Sequence, residues 1–413
     1  MNFLPRTALP HVDKTAPVLY IKMIPEACVT NDDITPLQRL LIDRIGEKGR
    51  ITFAEYMAAC LYEPGLGYYT SPGRKVGAEG DFYTSSNVHA LFGRLIAREL
   101  CRMWEVMGSP ERFDAVEPGA AGGRLACDIL DAIRELEPEL YDRLTYRLIE
   151  AEPSLRPVQE ETLRAHRGRI AWSSPEALAS GKLSFTGCIL SNELLDAFPV
   201  HAVEMTPDCL KERYVTVTDG RLTELLDDPS TPALAKRFRD LGVTLGVGHR
   251  AEVNLALPGW LASVERSLQR GFVLTVDYGY EAAELYGPMR RNGTLLCYWR
   301  HTVEEDPFRR PGEQDMTSHV DFTTLMREGE RLGLATVWFG EQYRFLMAAG
   351  MMAEMMALEA TAATEEERLK NRLALKKLML PEGGMGDTFR VLVQAKGVDD
   401  PPLLCRRTWG SLL

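Results

Sequence analysis

Between residues 35 and 62 two runs carry apolar residues at helical spacing, Thr35-Pro-Leu-Gln-Arg-Leu-Leu-Ile and Ile51-Thr-Phe-Ala-Glu-Tyr-Met. Thr52 and Glu55 have the spacing of a capping box, in which each side chain satisfies the other residue's backbone N–H, so the second helix is predicted to begin there. A loop rich in Gly, Pro and Tyr covers residues 62–86, and helical spacing resumes over 89–107. At residue 113 the period changes. Phe113-Asp-Ala-Val-Glu117 is short and apolar, a glycine cluster follows, and residues 125–136 read as helix. The unit recurs with strands predicted over 144–150, 169–172, 185–191 and 271–277, and with helices over 154–165 and 258–270. Strands alternating with helices predict an α/β protein with a mostly parallel, doubly wound sheet.

Residues 200–256 break that rhythm with alternating patterns such as Arg213-Tyr-Val-Thr-Val-Thr and Glu252-Val-Asn, which predict an inserted β-rich subdomain. Beyond Asp321 the pattern gives a helix, a strand near 334–339, two helices over 343–380 and a last strand near 389–395. The Met-rich run (Met347, Met351, Met352, Met355, Met356) sits at helical spacing and reads as core packing. The predicted organisation is a partly disordered arm over 1–34, a helical segment with a covering loop over 35–112, and a sheet core over 113–199. The insertion over 200–256 follows, and the rest of the core with a helical C-terminal part spans 257–413.

Composition narrows the function. Of 413 residues, 45% are hydrophobic and 26% charged, as expected of a globular chain with a sizeable core. Net charge is −11, so the overall field opposes docking on nucleic acid or anionic lipid. The local pairs Arg290-Arg291 and Arg309-Arg310 read as solvated faces. Eight cysteines are dispersed, with no CxxC and no His spaced to complete a zinc site, so the sequence predicts no metal and a reducing, cytoplasmic setting. No stretch reaches the roughly 20 apolar residues of a membrane helix.

The candidate chemistry lies at the carboxyl ends of the predicted strands, where ligands of such sheets bind. Glu117-Pro-Gly119-Ala-Ala121-Gly122-Gly123-Arg-Leu125 joins a strand to a helix through small residues, placing backbone N–H groups and a helix N-terminus beside a nucleotide. It lacks the GxGxxG spacing of nicotinamide enzymes, and a tight structural turn would explain it equally well. Glu150 ends the next strand, 33 residues beyond Glu117, where an acid can accept both ribose hydroxyls. Asn192, Glu193 and Asp196 follow the fourth strand, and Asn192 could equally cap a helix.

Together these residues resemble the MidA family of class I methyltransferases, whose mitochondrial members are complex I assembly arginine methyltransferases. The similarity runs from about residue 38 to 396. It includes Gly67-Tyr68-Tyr69, Gly80-Asp81-Phe82-Tyr83-Thr84-Ser85, the turn at Glu117, Gly119, Ala121 and Gly123, and Glu150 with Gln159. It continues through Asn192-Glu193, Asp196-Ala197, Asp277-Tyr278-Gly279, Asp315 and His319-Val-Asp-Phe322. Two positions depart from the family pattern: Ala121 replaces the middle glycine, and Ser86-Asn87 replaces Pro-Glu.

The resemblance implies a Rossmann-like class I methyltransferase fold that binds S-adenosyl-L-methionine. By the same route Asp81, Thr84, Ser85, Glu117, Gly119, Gly123, Glu150 and Asn192 are expected at the cofactor. The expected chemistry is methyl transfer to an arginine of a partner protein, which the family suggests could be a respiratory-complex subunit. Glu193 and Asp196 would hold the guanidinium, and His319 or Asp81 would accept a proton. A homodimer is compatible with this, and the location would be the mitochondrial matrix if the source is eukaryotic. Two other functions stay open: a cofactor-binding assembly factor without turnover, motivated by Ala121, and a methyltransferase of small molecules.

Overall fold

The computed structural model describes residues 34–71, 89–300, 302–379 and 388–407. Residues up to Thr35 and the chain from Pro36 onward form separate units, and the second contains every element below.

Seven strands form the continuous path of the central sheet, β1 (Phe113–Pro118), β2 (Leu144–Ile149), β3 (Ile170–Ser173), β4 (Phe185–Asn192), β5 (Leu268–Tyr280), β6 (Ala335–Glu341) and β7 (Phe389–Lys396), and the short strand Val320–Asp321 pairs parallel with the end of β5 as its eighth member. Their spatial order is β6-β7-β5-β4-β1-β2-β3, and the pairs from β5 through β3 are all parallel. β7 pairs antiparallel with both β5 and β6. Sheets covered on both faces bury successive residues to opposite sides, which is why these strands read as apolar runs. Ala115, Leu148, Cys188, Leu190, Phe272 and Leu274 pack with the helices Leu91–Val106 and Arg124–Leu136. Their alternating neighbours Val116, Ile149, Ile189 and Val273 pack on the other face with Leu257–Ser267 and Phe322–Arg331.

The insertion forms a second, antiparallel sheet from His201–Met205, Leu210–Thr218, Arg221–Asp227 and Arg250–Val253, with the helix Pro232–Leu241 beside it. Ile51–Thr52 joins this sheet as an edge strand, a pairing the local pattern did not foretell. The N-terminal helices Pro36–Lys48 and Phe53–Tyr62 pack their buried faces against Val200, Ala202 and Val215. The predicted capping box is present: Glu55 N–H donates to Thr52 Oγ1 at 3.1 Å and Thr52 N–H to Glu55 Oε2 at 2.8 Å.

Three expectations need correction. The helix expected over 154–165 covers only Arg156–Thr162, because the backbone leaves helical geometry at Leu163 and at His166 (φ −117°). The two C-terminal helices are three: Gln342–Ala348, Met351–Thr361 and Glu365–Met379. Gly350, at φ 106°, makes the first break, and Thr364 caps the third helix through Glu367 N–H. Of the methionine run, Met351 is buried and Met347 and Met355 lean on the core, while Met352 and Met356 face outward.

Candidate active site

The chain crosses from one half of the sheet to the other between β1 and β4, and the carboxyl ends of these strands open the crevice where ligands of doubly wound folds bind. Leaving β1, the backbone enters the left-handed region at alternate residues: Gly119 (φ 71°), Ala121 (φ 44°) and Gly123 (φ 78°). A Cβ at Gly119 would come within 2.9 Å of Leu194 Cδ1, so glycine there permits a close approach. Gly123 begins the helix Arg124–Leu136 with no side-chain cap, leaving N–H groups of the first turn available to a ligand. Ala121 carries the strain that a middle glycine would avoid. Ala121→Gly should relieve about 1–2 kcal/mol of left-handed strain, offset by up to about 1 kcal/mol of unfolded-chain entropy. We expect a net gain of about 0.5–1 kcal/mol in chemical denaturation; lower stability would show that the turn stores no strain.

Glu117 is buried at the end of β1 and accepts a 2.7 Å hydrogen bond from Tyr146 Oη. Burial pushes its carboxyl up to about 7 against the pull of that bond, with Glu150 adding to the rise. Glu150, just past β2, accepts Ala151 N–H (3.0 Å) and Glu152 N–H (3.1 Å) on one oxygen, and its carboxyl is raised chiefly by burial. Gln159 couples the two halves of this platform. Its amide donates to the Ala121 carbonyl at 2.7 Å and reaches Glu150 Oε2 at 3.5 Å, while Trp172 Nε1 holds its oxygen at 2.9 Å. The small-residue turn and the strand-end acid therefore fit an adenosyl group. Asp81, Thr84 and Ser85 lie outside the described residues.

At the end of β4, Asn192 donates to Glu193 Oε1 at 3.0 Å, and its own buried Oδ1 has no partner among the described residues. Glu193 takes a left-handed conformation (φ 51°) that swings the chain across β5, its N–H bonding Val276 O. Asp277, fully buried on β5, fixes this corner by accepting the N–H groups of Leu194 (3.2 Å), Leu195 (2.8 Å) and Tyr278 (2.9 Å). Asp196 is buried next to it, and its Oδ1 has no partner among the described residues. Burial raises the carboxyls of both Asp196 and Asp277; Asp277 and Asp315 add to the rise at Asp196, and Glu193 to that at Asp277.

Asp315 reaches this group from a short strand, Asp315–Thr317, and accepts Tyr69 Oη at 2.8 Å. Tyr69 stacks on Tyr62, whose hydroxyl bonds the Ala197 carbonyl, so the N-terminal segment walls the acidic group. Tyr298 lies in the field of Asp315, Asp196 and Glu193. His319 sits between Tyr278 and Tyr280, with ring centroids 6.2 and 5.4 Å away. Burial, with Arg290 and Arg390 nearby, lowers its imidazole to about 4, and Nδ1 has no partner among the described residues. The structure places Asn192, Glu193 and Asp196 together at the end of β4 and brings Asp277, Asp315, Tyr62, Tyr69 and Tyr298 beside them, residues to which sequence spacing had assigned no role. The Arg290 and Arg310 guanidiniums stack on Tyr280 and Trp299.

A family profile described as "Putative S-adenosyl-L-methionine-dependent methyltransferase" matches residues 95–340, more than half of the chain. The chain belongs to this family. Its cofactor is therefore S-adenosyl-L-methionine, in keeping with the Gly119–Gly123 turn. A solved COG1565 superfamily protein from Burkholderia thailandensis, bound to S-adenosyl-homocysteine, superposes on this methyltransferase with a TM-score of 0.80. It is 30% identical, and the match covers 89% of this chain and 94% of that one. The mitochondrial protein arginine methyltransferase NDUFAF7 of Rattus norvegicus is 28% identical, over 87% of this chain and 84% of its own. The Homo sapiens protein of the same name is 26% identical, over 86% and 82%. Among the described residues, no helix of this methyltransferase is long and apolar enough to cross a membrane.

Proposed function

We propose that the acceptor is an arginine side chain of a partner protein, held by Glu193 and Asp196 beside the carboxyl ends of β4 and β5. The observation that carries this reading is the burial of Asp196, Asp277 and Asp315 together, with Asp277 and Asp315 close enough to raise the proton affinity of Asp196. Buried like charges are costly, and a cation placed among them offsets that cost. Guanidinium suits the arrangement because it stays charged and presents planar pairs of N–H donors to carboxylates. The arginine methyltransferase names of the relatives support the same acceptor. Their mitochondrial designation supports a matrix location if the source is eukaryotic.

In this reading the turn at Gly119–Gly123, Glu150 and Asn192 hold the cofactor, which supplies an electrophilic sulfonium methyl group. Glu193 orients one guanidinium nitrogen towards it, so that rate comes from positioning and exclusion of water. A nitrogen that gains a methyl group must shed a proton. Asp196 Oδ1, unpartnered among the described residues and more basic than an ordinary carboxylate, is placed to receive it, and His319, neutral with a bare Nδ1, is the second acceptor.

The test uses methyl-labelled cofactor, purified protein and a cell protein fraction, followed by complete hydrolysis and amino-acid analysis. Label in methylarginine is expected. Label confined to another amino acid or to small molecules would overturn the arginine reading while leaving cofactor binding intact.

A further inference from the structure

Away from the acidic crevice, three groups converge from two segments. Cys127 and Asp131 stand one turn apart on the helix Arg124–Leu136 and so share a face. His166 comes from the irregular stretch that replaces the end of the predicted helix. One ligand atom from each lies within 4.8 Å of the other two. Cys127 Sγ is 3.8 Å from Asp131 Oδ2, and His166 Nε2 is 3.3 Å from Asp131 Oδ1. Zinc-type bond lengths at tetrahedral angles put S and O about 3.6 Å apart and N and O about 3.4 Å apart. The two contacts use different oxygens of Asp131, so the carboxylate would turn, or bind through both oxygens, to share one ion with the thiol and the imidazole.

The imidazole supplies the independent observation. His166 is 1% exposed, yet Nε2 makes no hydrogen bond among the described residues, its approach to Asp131 included. The other ring nitrogen is anchored, with Nδ1 2.8 Å from Tyr141 Oη and the two rings packed edge to face. A structural core histidine would be expected to satisfy both nitrogens. Here one is fixed by an outer hydroxyl, as in metal-bound histidines, and the other points bare at a thiol and a carboxylate. Arg134 donates to Asp131 Oδ1 at 2.6 Å, so the carboxylate is held in place from its outer side.

We propose that Cys127, Asp131 and His166 form a site for a thiophilic divalent ion of the zinc class, with a fourth position open to water. Binding breaks the Cys127 S–H bond and forms a sulfur–metal bond. The proton passes to solvent, His166 ligates as neutral imidazole through Nε2, and no electron changes hands. Sequence spacing concealed the site because its ligands sit on different segments. The ion would act as a clamp. Leu163, three residues before His166, packs over Gly123, where a Cβ would lie 3.3 Å from its Cδ1, and Cys127 N–H bonds Gly123 O. The metal would thus pin the outer side of the contact on which the cofactor turn rests.

Full-length protein stripped with chelator and titrated with Co(II) should take up one equivalent and develop a thiolate-to-cobalt charge-transfer band that Zn(II) abolishes. Cys127→Ser should lose the band. Asp131→Asn, a change at a half-exposed position, should weaken Zn(II) binding tenfold or more while leaving the circular dichroism spectrum unchanged. Tyr141→Phe should weaken it about tenfold by freeing the ring. A missing band in the parent protein, a full band in Cys127→Ser, or parental Zn(II) affinity in Asp131→Asn would each overturn the site.

Discussion

Asp277→Ala is expected to lower stability by about 2–4 kcal/mol and to weaken S-adenosyl-homocysteine binding at least tenfold. The carboxylate it removes is the acceptor for the N–H groups of Leu194, Leu195 and Tyr278. A buried backbone N–H left without a partner costs about 1–3 kcal/mol. Removing a buried carboxylate with a raised proton affinity returns part of that cost, so the total stays below three full penalties. Asp277→Asn keeps one acceptor oxygen and should lose about half as much. Urea denaturation and calorimetric titration measure both effects. An Asp277→Ala protein with parental stability and affinity would show that the corner between β4 and β5 holds without its clamp.

Asp196→Asn is expected to separate activity from stability. Methyl transfer should fall about 10²–10³-fold, or about 3–4 kcal/mol of transition-state stabilisation, with S-adenosyl-homocysteine affinity little changed. Stability should move the other way. The folded-state carboxyl of Asp196 is raised, so the native chain binds this proton more tightly than the unfolded chain does. Its contribution to stability is then lost as pH rises from the ordinary carboxylate range through the raised native value. The neutral amide should therefore stabilise the protein at pH 8 and not at pH 4. Glu193→Gln should share the loss of activity through the Michaelis constant for the acceptor. Full turnover in Asp196→Asn, or a stability change independent of pH, would remove Asp196 from the role proposed for it.

Much of the turn after Glu117 and of the strand-end acid Glu150 was legible in the sequence because both are local. The switch from helical to strand period at Phe113, the small residues after Glu117 and the acid closing β2 are each set by a few neighbouring positions. The capping box at Thr52 was readable for the same reason. The left-handed strain at Ala121 was not, since composition shows a missing glycine but not a dihedral angle. The acidic group was half visible: Glu193 and Asp196 share one motif, whereas Asp315 meets Tyr69 across 246 residues of sequence. Asp277 looked like a strand end, and only the fold shows it accepting three N–H groups from the corner that carries Glu193. The broken helix before His166 follows from tertiary contacts that override propensity, and the metal ligands were hidden with it.

β7 lies between β5 and β6 but follows both in the chain. During synthesis the ribosome must therefore deliver the strand that fills the middle of this flank after its neighbours on both sides have emerged. Until then β5 and β6 each present an unpaired edge of backbone groups, the kind of surface that recruits foreign strands. A nascent chain stalled before Phe389 would hold the complete cofactor turn yet offer two sticky edges, so chaperone demand should peak late in translation.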